Sequence, residues 1–483
     1  MTTLSLGPFN RVEGDLEVHL DVEDGRVAAA RVNSPLFRGF EQILEGKAPT
    51  DAMVITPRIC GICSVAQSMA AARALADAMG LDVPPNGELA TNLILAAENV
   101  ADHLSHFYLF FMPDFARDVY AGRGWHAPAA ERFRALSGRA TAEVIPARAA
   151  FLHLLGTLAG KWPHTLTLQP GGSSRAIETG ERVRLLAIVA HFRRFLEERL
   201  FGDTLERIAA LDSAAALDAW RDAASPFASD LRGFLHVADD LGLERLGRAD
   251  DRFMSYGAYP CEGSPTFAQG VWIDGTRRVL DVDGIAEDLS HAWMAGPGEP
   301  LPPARGITQP DMDRADAYSW CKAPRLAGRT VEVGALARQL VDGHPLIVDL
   351  VRVSGGNVRN RVVARLLEIA RTLMSMERWL RSLRAGEPYC VFGRMPADAE
   401  GAGLIEAARG SLGHWLRVHK GRISSYQIIA PTTWNFSPRD RGGTPGALEQ
   451  ALVGTPVDPL VDDPVSVQHI VRSFDPCMVC TVH

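Results

Sequence analysis

The stretch Asp475-Pro476-Cys477-Met478-Val479-Cys480-Thr481-Val482-His483 holds two cysteines at C-x-x-C spacing and ends on a histidine. A second pair of cysteines, in Arg58-Ile59-Cys60-Gly61-Ile62-Cys63, lies near the other end of the sequence. One turn of backbone lets both sulfurs of such a pair face the same centre, so two pairs together are expected of a soft-metal site. If all four thiolates meet at one metal, the fold must bring the two ends of the chain together there.

Two other uses of these cysteines stay open on spacing alone. A structural zinc site usually has its cysteine pairs a few tens of residues apart, whereas more than 400 residues separate these pairs. Closing so long a loop for a metal alone adds little to what a large core supplies. A thioredoxin-like redox pair requires a βαβ context, and no strand pattern follows Cys63. A c-type haem is excluded at the C-terminal pair because Thr481, not histidine, follows Cys480.

The composition is that of a soluble protein with a large core and no attraction to polyanions. Of 483 residues, 47% are hydrophobic and 22% are charged, and the formal charge of −8 argues against nucleic acid or an anionic membrane as a partner. The first residues show no signal sequence, and no run of about 18 uncharged apolar residues predicts a transmembrane helix. Seven cysteines, an odd number, argue against a secreted disulfide framework and predict a reducing, cytoplasmic setting.

Periodicity predicts a mainly helical fold with small antiparallel β-sheets, an α+β class. Alternation over 16–22, a turn at 24–25 and a returning segment over 26–32 predict a β-hairpin. Three-and-four spacing predicts helices over 64–79, about 88–111, 131–158, 176–201 and 362–380. The first of these helices places Cys63 at a helix N-terminus, where the helix dipole favours thiolate. Short strands and loops are expected over 251–310, and residues 1–483 are predicted to form a single domain.

The two cysteine motifs, taken together, resemble the paired signature of the large subunit of nickel-iron hydrogenases. Further landmarks of that family recur in order along almost the whole chain. The resemblance implies the family's fold, a helical core with the metal site buried between both termini. It also implies the activity, the heterolytic cleavage of dihydrogen into protons and electrons. Cys60 and Cys477 would be terminal ligands of nickel. Cys63 and Cys480 would bridge nickel to an iron carrying two cyanides and one carbonyl.

Two glutamates near the N-terminal hairpin acquire roles only through this resemblance. Taken alone, Glu13 in Arg11-Val12-Glu13-Gly14 is interpreted as a solvated turn carboxylate, because glutamate is rarely buried. By resemblance, Glu13 accepts a proton from Cys480 and relays it outward. Glu41, in Arg38-Gly39-Phe40-Glu41, would bind magnesium or a similar hard cation together with His483.

Further residues of the site are carried over from the resemblance in the same way. Arg409 would form an electropositive roof over the metals, oriented by Asp102 and Asp475. Without the resemblance, Arg409 would be a surface arginine and Asp102 an exposed helix acid, since such groups are seldom buried unpaired. Pro431 and Thr432 lie in the segment that resembles the one holding the cyanide ligands of iron.

The chain also requires partners under this hypothesis. Its remaining cysteines, Cys261, Cys321 and Cys390, are isolated and lack iron–sulfur spacing. Iron–sulfur clusters are therefore expected only in a separate small subunit, held in a permanent heterodimer, and maturation proteins are expected to load the metals.

Three features resemble the regulatory, hydrogen-sensing branch of the family. Ile62 and Phe110 are bulkier than the aliphatic residues that line the gas channel of many catalytic members, which implies a narrowed channel, oxygen tolerance and signalling to a histidine kinase. Gln67 replaces a common histidine, and the sequence ends at His483 without the tail of a typical precursor. A catabolic uptake hydrogenase is the alternative. Two non-catalytic hypotheses stay open. The chain could be a structural zinc protein or a quinone-module subunit of respiratory complex I, although relatives in complex I lack the four cysteines.

Overall fold

Helices and small sheets alternate along the chain. The computed structural model describes residues 2–261, 263–458 and 464–483. The helices are α1 (Phe40–Leu44), α2 (Ala52–Ile55), α3 (Ser64–Met79), α4 (Pro85–Ser105), α5 (His126–Phe133), α6 (Arg139–Ala159), α7 (Thr179–Phe195), α8 (Leu205–Ala209), α9 (Ala214–Asp222), α10 (Asp230–Leu241), α11 (Ala335–Val341), α12 (Pro345–Ser354), α13 (Val358–Ser382), α14 (Pro431–Asn435), α15 (Ala447–Leu452), α16 (Val465–Ser473) and α17 (Met478–Thr481). The predicted α+β fold class is confirmed.

The sheets are small and antiparallel. The strands are β1 (Thr2–Leu6), β2 (Glu17–Glu23), β3 (Arg26–Asn33), β4 (Leu168–Gln169), β5 (Gly172–Ser173), β6 (Phe253–Cys261), β7 (Ser264–Ile273), β8 (Thr276–Arg278), β9 (Ile285–Asp288), β10 (Met294–Ala295), β11 (Gln309–Pro310), β12 (Ala323–Leu326), β13 (Ala399–Ala407), β14 (Gly410–His419) and β15 (Arg422–Ile429). Three-stranded sheets join β1–β2–β3, β6–β7–β8 and β13–β14–β15. The predicted hairpin is β2–β3, and the strands expected over 251–310 are present, whereas β1 went unpredicted because only its pairing with β2 defines it.

All but one of the predicted helices are present, most of them with shifted boundaries. Helix α3 has the predicted bounds and ends at Gly80, which adopts the left-handed conformation (φ 62°). Helix α4 continues into a π-helical turn over His106–Phe111. The single helix predicted over 131–158 is wrong, because α5 ends at Phe133 and α6 begins at Arg139. Between them Leu136 has a φ of 65°, which a right-handed helix does not accommodate.

The core lies around α3, α4 and α13, and the sheet β13–β14–β15 closes against α3. Helix α13 is buried along most of its length, so its apolar residues serve core packing. At Gly403 an added Cβ would lie 2.0 Å from the carbonyl oxygen of Ala70, so only glycine allows the strand to approach the helix so closely. This contact places the turn between β13 and β14, which carries Arg409, beside the first cysteine pair.

The two ends of the chain meet through main-chain hydrogen bonds. The N–H of Met478 donates to the carbonyl of Glu13 at 2.6 Å, and the N–H of Glu13 donates to the carbonyl of Pro476 at 3.5 Å. Gly14 permits this approach, since a Cβ there would lie 3.1 Å from the nitrogen of Val479. The predicted union of the termini is therefore confirmed.

One helix of the described residues, α6, is long and apolar enough to cross a membrane when judged by length and composition alone. Its most apolar window has a mean hydropathy of 1.2 and is 33% buried. Core helices of soluble proteins pass the same test, so the observation is weak evidence. The helix carries Arg148 and packs against α4 and α7.

Candidate metal centre

Four cysteine sulfurs meet inside the protein. The Sγ atoms of Cys60 and Cys477 lie 3.5 Å apart, those of Cys63 and Cys480 lie 3.0 Å apart, and those of Cys477 and Cys480 lie 3.2 Å apart. All four sulfurs lie within 4.8 Å of one another, and all four residues are buried. Each pair contributes one sulfur to each close contact across the termini, as the resemblance implied.

Short local structures hold the sulfurs in place. Cys63 immediately precedes α3 and Cys477 immediately precedes α17. The guanidinium of Arg38 donates to the carbonyl of Ile59 at 2.6 Å and also to that of Val479, so one side chain ties the two cysteine segments together. Thr432, at the start of α14, accepts a hydrogen bond from the N–H of Cys477 at 3.1 Å.

The chemistry of this sulfur set fits a soft metal. Hydrogen bonds from the other three thiols hold the pKa of Cys60 well below its usual range. Burial raises the pKa of Cys480, and hydrogen bonding to Cys477 raises that of Cys63. Four buried sulfurs so close together cannot all ionise unless a cation neutralises them, and thiolate is the form that binds metal.

Arg409 covers this sulfur cluster and is anchored by two buried acids. Its guanidinium donates to Asp102 Oδ2 at 2.5 Å and Oδ1 at 3.2 Å, and to Asp475 Oδ1 at 3.1 Å and the Asp475 carbonyl at 2.9 Å. Burial alone would lower the pKa of Arg409, but both acids outweigh it and hold the pKa well above its ordinary value. Burial raises the pKa of Asp102 to about 7 against the opposite effect of Arg409. The structure thus unites all three predicted residues.

Glu13 lies at the edge of the same cluster. Its main chain pairs with the segment around Cys477, and its side chain is only partly buried. Burial and the neighbouring Cys60 sulfur raise the pKa of Glu13, while Arg409 opposes them. A carboxyl group with a raised pKa, lying between the buried sulfurs and the surface, is suited to accept and release protons.

Glu41 and His483 converge beneath the opposite side of α17. His483 Nε2 lies 3.4 Å from Glu41 Oε1 and 2.9 Å from the carbonyl oxygen of Ile428. Lys322 Nζ lies 3.2 Å from Glu41 Oε2. Burial would raise the pKa of Glu41, but Lys322 and His483 lower it to about 2. The Glu41 carboxylate and the Ile428 carbonyl supply oxygen atoms of the kind that a hard cation binds, and the His483 imidazole lies beside both.

A buried polar chain supports Cys480 from the side of the sheet. Gln67 Nε2 lies 4.0 Å from Cys480 Sγ, and Gln67 Oε1 lies 2.8 Å from His414 Nε2. His414 Nδ1 lies 2.8 Å from the hydroxyl of Tyr426, and burial lowers the pKa of His414 to about 3. Neutral His414 thus donates to the Gln67 carbonyl, which turns the Gln67 amide group toward the sulfur.

The two predicted gas-channel residues lie in different surroundings. Ile62 packs against the core, and its N–H lies 3.3 Å from Cys60 Sγ. Phe110 is partly exposed on the π-helical turn after α4, where its carbonyl accepts a hydrogen bond from Arg11 at 3.3 Å. Among the described residues, Phe110 belongs to none of the hydrophobic clusters. Their joint role as a channel stays a prediction.

The comparison with known proteins decides the family. Residues 38–138 and 142–483 match the family model of nickel-dependent hydrogenases. This chain belongs to the nickel-dependent hydrogenases. It is 31% identical to the periplasmic NiFeSe hydrogenase large subunit of Desulfomicrobium baculatum, with 99% of this chain and 94% of that one covered. It is 29% identical to the hydrogenase-2 large chain of Escherichia coli K12, with 99% and 97% covered.

Solved structures agree with the relatives found by sequence. The Ni-Fe-Se hydrogenase from Desulfovibrio vulgaris Hildenborough in the reduced state superposes on this chain with a TM-score of 0.85 at 31% identity, and both chains are covered over 100% of their length. The predicted enzyme class is therefore confirmed: the chain is a catalytic nickel-iron hydrogenase large subunit with a four-cysteine site. The relatives include periplasmic and uptake enzymes, and the assignment to the regulatory branch stays a prediction.

Several residues of the site escaped sequence reasoning. Arg38 belongs to the motif around Glu41, and in the fold its guanidinium also ties the two cysteine segments together. Lys322 and the carbonyl of Ile428 complete the cluster around His483 from distant parts of the chain. Glu98 lies on α4, one helical turn before Asp102, and its buried carboxyl group contacts the start of α3. No spacing motif marks these residues, because each meets the site only after long-range folding.

Proposed function

We propose that this chain cleaves dihydrogen heterolytically at a nickel-iron centre held by Cys60, Cys63, Cys477 and Cys480. The observation that carries the proposal is the meeting of four buried sulfurs, two from each end of the chain, beneath a doubly anchored arginine. When bound, the two metals, with cyanide and carbonyl on iron, would accept the two electrons of dihydrogen. Pro431 and Thr432, at the start of α14, would hold the cyanide ligands of iron, and the hydrogen bond from the N–H of Cys477 to Thr432 Oγ1 supports this assignment.

The residues around the centre are assigned roles according to their positions. Cys480 Sγ would accept the first proton, a role carried over from the family resemblance, and Gln67 Nε2 lies 4.0 Å from that sulfur. Glu13 would receive that proton and pass it toward the surface. Arg409 would keep a fixed positive charge over the reacting atoms, with Asp102 and Asp475 holding its orientation.

Metal analysis with infrared spectroscopy tests the proposal directly. The purified protein is expected to contain nickel and iron together and to show one carbonyl band and two cyanide bands. Zinc alone, without such bands, would contradict the proposal if it persisted after co-expression with maturation proteins.

Further components belong to the same proposal. Glu41, His483 and the carbonyl of Ile428 would hold magnesium, because their oxygen and nitrogen atoms converge at one buried point. An iron–sulfur small subunit would carry electrons away, forming a heterodimer with this chain. A cytoplasmic setting is proposed with it, since an odd number of cysteines, seven, suits a reducing compartment better than a secreted disulfide framework.

The proposed physiological role is hydrogen sensing, with signalling to a histidine kinase. Three residues that resemble the regulatory branch support this role. They are Ile62, which lies against Cys60, Gln67, which lies beside Cys480, and Phe110, on the turn after α4. Uptake of hydrogen for energy is the alternative, favoured by the names of the relatives. The double substitution Ile62→Val with Phe110→Leu is expected to make hydrogen oxidation sensitive to air. Activity that survives air exposure as in the wild type would contradict the narrowed channel.

A further inference from the structure

Glu98 has a buried carboxyl group, and the proposed function assigns no role to it. It lies on α4 and is 2% exposed. Its oxygens accept hydrogen bonds from the N–H groups of Val65 and Ala66 and from Trp162 Nε1, each at 2.9 Å. Val65 and Ala66 belong to the first turn of α3, where N–H groups have no partner within the helix. Glu98 thus caps this helix from outside.

The hydrogen bonds to Glu98 favour its charged form, whereas its burial favours the neutral form. Burial raises the pKa of Glu98 to about 8, although the three N–H donors lower it. Both backbone groups and the indole nitrogen can only donate, so they offer no acceptor for the proton of a neutral carboxyl group, and Glu98 is predominantly a carboxylate above about pH 8. The hydroxyl of Ser64 lies 3.5 Å away, at the limit of a hydrogen bond. The Arg148 guanidinium stacks on the ring of Trp162 at 5.3 Å and supplies a positive charge nearby.

This arrangement changes the expected electrostatics of Cys63. A helix N-terminus carries about half a positive charge, which by itself stabilises a thiolate placed there. Here a carboxylate takes the free N–H groups of the helix, so its negative charge opposes that positive end. The sulfur that immediately precedes α3 therefore experiences less positive potential than its position at a helix start would suggest.

We propose that Glu98 is a positioning residue of the metal centre, which fixes the start of α3 behind Cys63 and makes the Cys63 sulfur a stronger electron donor to the metals. This inference rests on the proposed function. By the family resemblance Cys63 would bind iron, and greater electron density on its sulfur would lower the stretching frequencies of the carbonyl and cyanide ligands that iron would carry. Groups that hydrogen-bond around a metal ligand tune a metal in this way.

Infrared spectroscopy of the intact, matured protein, recorded at a pH well above 8 so that Glu98 is ionised, tests the inference through two opposite changes. Glu98→Gln removes the negative charge at nearly constant shape, and the carbonyl and cyanide bands are expected to shift to higher frequency. Trp162→Phe removes one donor from the carboxylate and leaves its charge less neutralised, so the bands are expected to shift to lower frequency. Both substitutions are expected to lower the thermal midpoint, and a merely structural role would not give shifts of opposite sign.

Glu449→Gln provides the matched control. Glu449 is also a buried carboxylate, and it accepts hydrogen bonds from the N–H of Val32 at 3.0 Å and from the hydroxyl of Tyr318 at 2.8 Å, away from the four cysteines. Its substitution is expected to lower stability and leave the bands in place. Unshifted bands in Glu98→Gln, or shifts of the same sign in both test variants, would overturn the inference. Absence of bands from the wild type would instead contradict the proposed nickel-iron centre.

Discussion

Removing the carboxylate of Asp102 is expected to destabilise the protein strongly and to impair the site. The guanidinium of Arg409 makes four hydrogen bonds to Asp102 and Asp475, and the substitution Asp102→Ala removes two of them, including the shortest at 2.5 Å. A hydrogen bond to a charged group contributes about 1.5–3 kcal/mol. Loss of one partner of a buried ion pair costs about 3–5 kcal/mol, which agrees with two such bonds.

The cost of the substitution depends on what remains around the arginine. In Asp102→Ala, Asp475 still supplies Arg409 with one carboxylate contact and one carbonyl contact. We therefore expect the free energy of unfolding to fall by about 3 kcal/mol, the lower end of the range for a buried ion pair. Asp102→Asn keeps an acceptor but loses the charge and is expected to cost about 2 kcal/mol, as for a buried hydrogen bond to a charged group. Without its second anchor Arg409 is free to reorient, so hydrogen–deuterium exchange is expected to fall by about 10²-fold, the effect of losing one preorganised electrostatic group.

Urea unfolding with parallel exchange assays would measure both effects, with metal content determined for every variant. Asp230→Ala is the control, because Asp230 also pairs in a bidentate manner, at 2.8 and 2.7 Å, with Arg132 and lies elsewhere in the fold. The control variant is expected to lose stability but keep the exchange rate per bound nickel. If Asp102→Ala unfolded within about 1 kcal/mol of the wild type, a typical hydrogen-bond contribution, and exchanged hydrogen at the wild-type rate, the assigned role of this ion pair would be wrong.

Three further predictions follow from the same geometry. Glu13→Gln is expected to abolish hydrogen–deuterium exchange while the infrared bands persist, and wild-type exchange would contradict the relay. Because the folded pKa of Glu41 lies near 2, below its ordinary 4.5, Glu41 stabilises the fold above that ordinary value by about 3 kcal/mol. Stability is lost as the pH falls from 4.5 toward 2, and Glu41→Gln, compared in metal-free protein by unfolding at several pH values, is expected to remove this dependence. Gly403→Ala is expected to lower the free energy of unfolding by at least about 2 kcal/mol, because the added methyl group overpacks against Ala70. Gly156→Ala on α6, where a Cβ meets nothing within 4 Å, is expected to raise it by about 0.5–1 kcal/mol. Equal unfolding midpoints for the two variants would contradict this contrast.

Local patterns predicted much of the fold. The bounds of α3 followed from its periodicity and from Gly80, and the hairpin β2–β3 followed from alternation and its turn. The break between α5 and α6 escaped because the left-handed conformation of Leu136 depends on tertiary surroundings. Likewise, β1 became a strand through pairing with β2, a contact that no local signal announces.

The sequence by itself determined the family and the four sulfur ligands. Two C-x-x-C motifs at opposite ends of the chain are chemically specific, and each can be recognised as a short local pattern. Tertiary structure alone decided which acid anchors Arg409, how Arg38 ties the two cysteine segments together, and that Glu98 opposes the helix dipole at Cys63. Each of these contacts joins residues far apart in the chain. Burial and charge pairing determine their energies, and both are properties of the folded surroundings rather than of any local sequence.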